Sequence, residues 1–204
     1  MRLSPAYADA TGAGWIAPEP EYMHRASHAL AVDDGTWLVD PVDGEGLDGI
    51  LSPLPPVRGV LQLLDRHPRD CAALAARLAV PLHVTPAAGV PGRPLVPIPL
   101  VSRPWWREVA LWWPRTRTLV VAESLGTAPY YPARGDRLGV HPAMRLTPPR
   151  GLAAYPAERL LPGHGAPVSG PGVAEEIRVA LDRSRRDAPR VLARLIRHRG
   201  KPPA

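Results

Sequence analysis

VRGVLQLLDRHPRDCAALAARLAVPLHV, Val57 to Val84, carries three elements in one stretch. Val57 to Asp65 is a near-continuous apolar run, the pattern of a strand covered on both faces. Pro68 to Ala79 places a proline in a first turn and Ala, Leu and Arg after it, which is helix chemistry. Pro81 to Val84 returns to strand. Strand, loop, helix and strand make a βαβ unit, expected to be right-handed.

Working outward, SHALAVDDGTWLVD (Ser27 to Asp40) holds two apolar runs of strand length around Asp33-Asp34-Gly35. Asp-Gly is a pair that tight hairpin turns prefer, so a β-hairpin is expected there. REVALWW (Arg107 to Trp113) and RTLVVAES (Arg117 to Ser124) flank Pro114-Arg115-Thr116 and predict a second hairpin. Trp112 and Trp113 are neighbours on one strand and face opposite sides, so packing in separate layers is expected rather than one aromatic pocket. Gly89 to Pro99 and Tyr130 to Pro149 read as irregular, and ERLLPGHGAPV (Glu158 to Val168) as a short strand running into a Gly-flanked His. From Pro171 to Ala188, Val173, Ile177, Ala180 and Leu181 recur at helical spacing, with Glu175 and Glu176 in the first turn and Arg in the last. Pro189 is expected to kink or end this helix before Arg190 to His198.

The 204 residues, 45% of them hydrophobic, suit one well-buried domain, expected over residues 1–189 with a basic C-terminal tail at 190–204. Phe is absent, so Leu, Val, Ala and six Trp must fill the core. Lys201 is the only lysine, and this Arg-, Pro- and Ala-rich composition resembles that of chains encoded by GC-rich bacterial genomes. The net charge of +6 raises the question of nucleic acid, but much of it sits in RSRRDAPRVLARLIRHRGK (Arg183 to Lys201), where no aromatic residue interleaves the arginines to stack bases. A solvated helix face is the expectation, with nucleic-acid binding through the tail as a lesser alternative. No window approaches the roughly 20 apolar residues of a membrane span, and the N-terminus lacks a signal-like apolar run, so a cytoplasmic protein without membrane contact is expected. The lone Cys71 excludes an intramolecular disulfide and is expected to pack among its alanines.

Two hairpins, a βαβ unit and a Gly-His-Gly loop before a late helix, in this order, resemble the metallo-β-lactamase superfamily. WLVDPVDGEG (Trp37 to Gly46) looks like that family's second strand and Asp-then-Gly turn, and Val60 to Val84 sits where the family has its strand, His-x-His-x-Asp-His loop and helix. TLVVAESLG (Thr118 to Gly126) is similar to the strand ending in the metal-bridging Asp, and LLPGHGAPV (Leu160 to Val168) is close to the last His motif. The resemblance implies an α/β fold, an αββα sandwich, and a metal-dependent hydrolase.

Carried over residue by residue, the family's ligands are largely replaced. The loop's first His is Asp65, its second survives as His67, its Asp is Arg69 and its last His is Asp70; the bridging Asp is Glu123 and the final His remains as His164. No His lies in SRPWWRE (Ser102 to Glu108), where the remaining one would fall. The family's chemistry relies on imidazoles and a bridging carboxylate that hold zinc and lower the pKa of a bound water to roughly 7. Arg69 is charged at every relevant pH and stands where a carboxylate would coordinate. Two readings follow. Either an Arg69-centred network with Asp65, Asp70 and Glu123 replaces the metals and no cofactor is present, or one zinc, manganese or iron ion survives on His67, His164, Asp65, Asp70 and Glu123. The first implies a non-catalytic or impaired protein whose pocket takes a small molecule or protein; the second, a hydrolase. His24, His28, His83, His141 and His198 are unpaired by spacing and read as surface or hydrogen-bonded core residues. Ser124 lacks a nucleophile elbow.

Overall fold

Strict alternation of apolar side chains along the central strands builds the molecule in four layers. The computed structural model describes residues 1–19, 23–33, 35–90 and 94–197. Its first sheet runs β1 (Ser4–Asp9), β2 (Gly12–Ile16), β3 (Ala26–Val32), β4 (Gly35–Val39), β5 (Val57–Gln62) and β6 (Leu82–Val84) in sequence order. β1 to β4 are antiparallel, while β4, β5 and β6 are parallel, linked by crossovers that carry α1 (Leu47–Leu51) and α2 (Cys71–Arg77). The second sheet contains β7 (Val96–Arg103), β8 (Trp106–Trp113), β9 (Thr118–Val121), β12 (Arg159–Pro162) and β13 (Val168–Ser169), in the order β13-β12-β9-β8-β7. β10 (Leu125–Gly126) and β11 (Gly139–Val140) form a short ribbon, and α3 (Val173–Arg197) closes the described chain.

The period of two assigns each layer. Leu30, Trp37 and Leu61 meet Leu111, Trp113, Val120 and Leu161 between the sheets. Their neighbours Ala29, Leu38 and Val60 face outward onto Leu47, Cys71 and Leu74. On the far side Ala110, Leu119, Val121 and Leu160 pack on Ile177 and Leu181 of α3. Helix, sheet, sheet, helix is the expected αββα sandwich. Trp113 goes between the sheets and Trp112 to the α3 side, 5.4 Å from the ring of Tyr155, as strand geometry requires. Cys71 is buried among alanine and leucine, and desolvation raises its thiol pKa well above the ordinary value, which makes it inert packing.

Three elements depart from the sequence expectations. The β1–β2 hairpin went unread because TGAG lacks alternating apolar residues; its turn is fixed by the Asp9 carboxylate, which accepts from Thr11 N at 2.8 Å. β7 includes Pro97 and Pro99, where the Pro- and Gly-rich sequence predicts a loop; an outermost strand has one side that needs no N–H and tolerates them. Pro189 does not end α3, which runs 25 residues to Arg197, so position 189 lies inside a helix. An internal proline costs about 3 kcal/mol. Contacts beyond it offset that cost: Val191 is buried, and Arg194 donates to the carbonyls of Tyr130 and Pro132. Other arginines of the basic stretch turn back onto the domain, Arg185 to the Leu146 carbonyl and Arg183 toward Asp136. Asp34 of the first hairpin turn, His198 and the rest of the tail through Lys201 lie outside the described residues.

Candidate functional site

The parallel strands β4 and β5 of one sheet and β9 and β12 of the other point their carboxyl ends to the same edge of the sandwich, where open α/β sheets place ligands. Asp40 follows β4, Leu64, His67 and Arg69 follow β5, Glu123 follows β9, and His164 follows β12. With Met23, Arg25, Pro68 and Ala122 they line a cavity of about 420 Å³, within the size range of small-molecule sites.

Arg69 is the centre of this edge. Its Nη1 donates to the carbonyls of Ala26 and, at 2.8 Å, Asp40; its Nη2 donates to the carbonyl of Gly163 at 2.7 Å. One guanidinium thus ties the start of β3, the end of β4 and the turn after β12. The approach depends on Gly163, since a Cβ there would stand 2.9 Å from Arg69 Nη2 and 2.3 Å from the Ala122 carbonyl. Arg69 reaches inward from a left-handed backbone, φ 51°, and the neighbouring walls hold Met23 at φ 58° and Asp40 at φ 43°. Such conformations cost about 1–3 kcal/mol each and persist where the surroundings over-determine them.

Electrostatics follow from burial around that charge. Burial pushes the Asp40 carboxyl up to about 6, against the nearby Arg69 guanidinium, and its Oδ1 accepts from Leu63 N at 2.9 Å. Burial drives His164 down to about 3, and Arg69 adds to the shift; its Nδ1 lies 3.2 Å from the Met23 carbonyl, with the ring stacked on Tyr131. His28, beneath the site, falls to about 4 for the same first reason, with Nε2 at 3.0 Å from the Pro162 carbonyl. Both imidazoles are neutral donors to carbonyls. Glu123 is raised by burial, with Oε1 at 3.4 Å from Nε2 of His67, which is 61% exposed at the rim. Behind it, burial lifts Glu108 to about 7; its Oε1 accepts from the backbone N of Glu123 and Ser124 at 3.0 and 2.8 Å. Among the described residues, Glu108 Oε2, Glu123 Oε2 and the Tyr131 hydroxyl are buried without a hydrogen-bond partner.

Of the six residues singled out by sequence, four come together: His67, Arg69, Glu123 and His164. The other two turn elsewhere. Asp65 spends both oxygens on Arg107, accepting from its backbone N at 2.8 Å and its Nε at 3.0 Å, and Asp70 accepts from Asp43 N at 2.9 Å beside α2. Arg69 therefore bonds to carbonyls and not to the carboxylates of Asp65, Asp70 or Glu123. Asp40, Glu108 and Tyr131 were missed; a lone Glu inside the apolar run REVALWW was the one available signal for Glu108.

The donor set does not fit the zinc centre that the resemblance implies. A guanidinium occupies its middle, and no group of three His, Cys, Asp or Glu among the described residues is gathered closely enough to hold a metal ion.

No family model matches the sequence, and no curated protein matches it. Solved structures do match in shape. DIM-1 metallo-β-lactamase exposed to ceftazidime superimposes with TM-score 0.59 at 10% identity, over 89% of this chain and 97% of that one. The metallo-β-lactamase FIM-1 from Pseudomonas aeruginosa, in a mono-zinc form, gives 0.56 at 12% identity over 91% and 97%. The Flv1 flavodiiron core from Synechocystis sp. PCC6803 gives 0.57 at 17% identity over 89% of this chain and 60% of that one. Four layers that superimpose over nine-tenths of the chain on metallo-β-lactamases of little sequence similarity establish that it has the metallo-β-lactamase fold.

Proposed function

We propose that this chain is a hydrolase-like protein of the metallo-β-lactamase fold whose pocket has exchanged its metal ions for an arginine, and that it binds a small molecule there without metal-dependent catalysis. One observation carries the reading: the Arg69 guanidinium joins three backbone carbonyls from three strand ends at the middle of the pocket. A fixed cation there repels a second cation and performs the cross-linking a metal would otherwise supply. The unpartnered carboxylate oxygens of Glu108 and Glu123 and the Tyr131 hydroxyl remain to meet a ligand or ordered water. No helix among the described residues is long and apolar enough to cross a membrane, and with a single buried thiol this agrees with the proposed cytoplasmic location.

The runner-up is a hydrolase with one ion on His67, Glu123 and His164, favoured by the 3.4 Å approach of His67 to Glu123. Elemental analysis of untagged protein purified without added metal separates the two. The expected result is a substoichiometric trace, unchanged in His164→Ala. A stoichiometric zinc, manganese or iron ion that is lost in His164→Ala would return the chain to metal-dependent hydrolysis. Nucleic-acid binding through the tail is the third reading, and the arginines already bonded to the domain weigh against it.

A further inference from the structure

Resting on the metal-free reading, we infer that the N–H groups Arg69 leaves open are a binding site for a small carboxylate with an apolar body. A guanidinium has five N–H donors. Three are taken by the carbonyls of Ala26, Asp40 and Gly163, which leaves the Nε–H and one Nη2–H with no protein acceptor among the described residues. The carbonyls fix the plane of the group, so a ligand meets a donor already oriented, and little is lost in ordering it.

The charge of Arg69 also meets no carboxylate in direct contact among the described residues. Asp40, its nearest carboxylate by electrostatic effect, spends Oδ1 on Leu63 N, and Glu123 lies against His67. Arg25, on the same wall, is bonded to Glu19. Asp40 and Glu123 on the same wall repel any anion, a dianion about twice as strongly as a monoanion, which favours a single negative charge over a phosphate dianion. Met23, Leu64, Pro68 and Ala122 supply the apolar remainder of the cavity, and its volume of about 420 Å³ exceeds what a bare carboxylate fills. The left-handed backbone at Met23, Asp40 and Arg69 is the strain expected of a rigid ligand clamp.

The test is an NMR titration of metal-stripped wild-type protein at pH 8 and constant chloride. It follows the Arg69 Nε–H resonance with butyrate and, separately, inorganic phosphate. Butyrate should move that resonance saturably, bind more tightly than phosphate, and lose roughly 10- to 100-fold in affinity in Arg69→Gln, the loss of charge-assisted hydrogen bonds. Where Arg69→Gln fails to fold, the wild-type resonance alone decides. An Nε–H that butyrate does not move, tighter binding of phosphate, or an affinity unchanged in Arg69→Gln overturns the site. Elemental analysis of the same batch before stripping keeps the two ideas apart. A stoichiometric metal sinks the metal-free reading, whereas a metal-free protein with an unmoved Nε–H sinks only the carboxylate site.

Discussion

Replacing Arg69 by Ala removes three charge-assisted hydrogen bonds at once, each worth about 1.5–3 kcal/mol in isolation. Their sum overstates the loss, because two of the acceptors keep a second donor. Ala26 N still reaches the Gly163 carbonyl at 2.8 Å, and Ser27 Oγ still reaches the Asp40 carbonyl at 3.1 Å. The expected net cost is about 3–5 kcal/mol, the size found when one partner of a buried polar pair is removed. Against a total stability of about 5–15 kcal/mol, that brings the domain near its unfolding threshold. Because position 69 has φ 51°, Arg69→Gly should be more stable than Arg69→Ala by about 1 kcal/mol, reversing the usual helix-derived ranking of these residues. Urea unfolding at pH 7, followed by tryptophan fluorescence, measures both, with an unchanged m-value as the sign that only stability moved. A loss below about 1 kcal/mol, the value of an exposed pair, would refute the cross-linking role.

Gly163→Ala should cost about 1–3 kcal/mol through overpacking against the Ala122 carbonyl and Arg69. Combined with Arg69→Ala it should cost less than the sum of the two, since one cause is shared. Burial raises Glu108 in the folded state from 4.5 to about 7, so the folded protein holds a proton that the unfolded chain has released; this lowers stability as pH rises across that window. Glu108→Gln should therefore gain up to roughly 2–3 kcal/mol at pH 8 and almost nothing at pH 4, read from urea midpoints at the two pH values. A gain at pH 4 that matches the gain at pH 8 would remove the carboxylate from the account. Leu181→Asp puts an unpaired charge under α3, where Leu181 is 1% exposed, and should lose about 3–5 kcal/mol. An unaltered melting temperature by calorimetry would detach α3 from the core.

The sandwich was legible because its central strands obey local rules: Val57 to Val84 reads as βαβ without tertiary knowledge, and the two hairpins announce their turns. What stayed hidden depends on contacts distant in sequence. β7 hides behind its prolines, and only its place at the border of a sheet makes them tolerable. In the site, His67 and His164 could be found by motif, but spacing alone could not tell that Asp65 would turn to Arg107. Asp40 is ordinary in sequence, an Asp before a Pro, and becomes part of the site only because β4 ends beside β5. The partners of Arg69 are carbonyls at 26, 40 and 163, and a carbonyl leaves no mark in a sequence.

The prolines of β7 reach beyond the single molecule. A sheet border normally offers a row of free N–H and C=O groups that any extended segment, from this or another chain, can extend. Pro97 and Pro99 pair with Leu111 and Val109 on their inner side, and neither has an N–H to give on the outer one. An incoming strand would find donors missing at two alternate positions, the spacing at which ladder bonds recur. At the other end of this sheet β13 has only two residues, too short to seed a ladder. The second sheet is therefore blunted at both borders against edge-to-edge growth, a protection that is of most use at the high protein concentration of a cell, where a half-folded sandwich meets its own copies first.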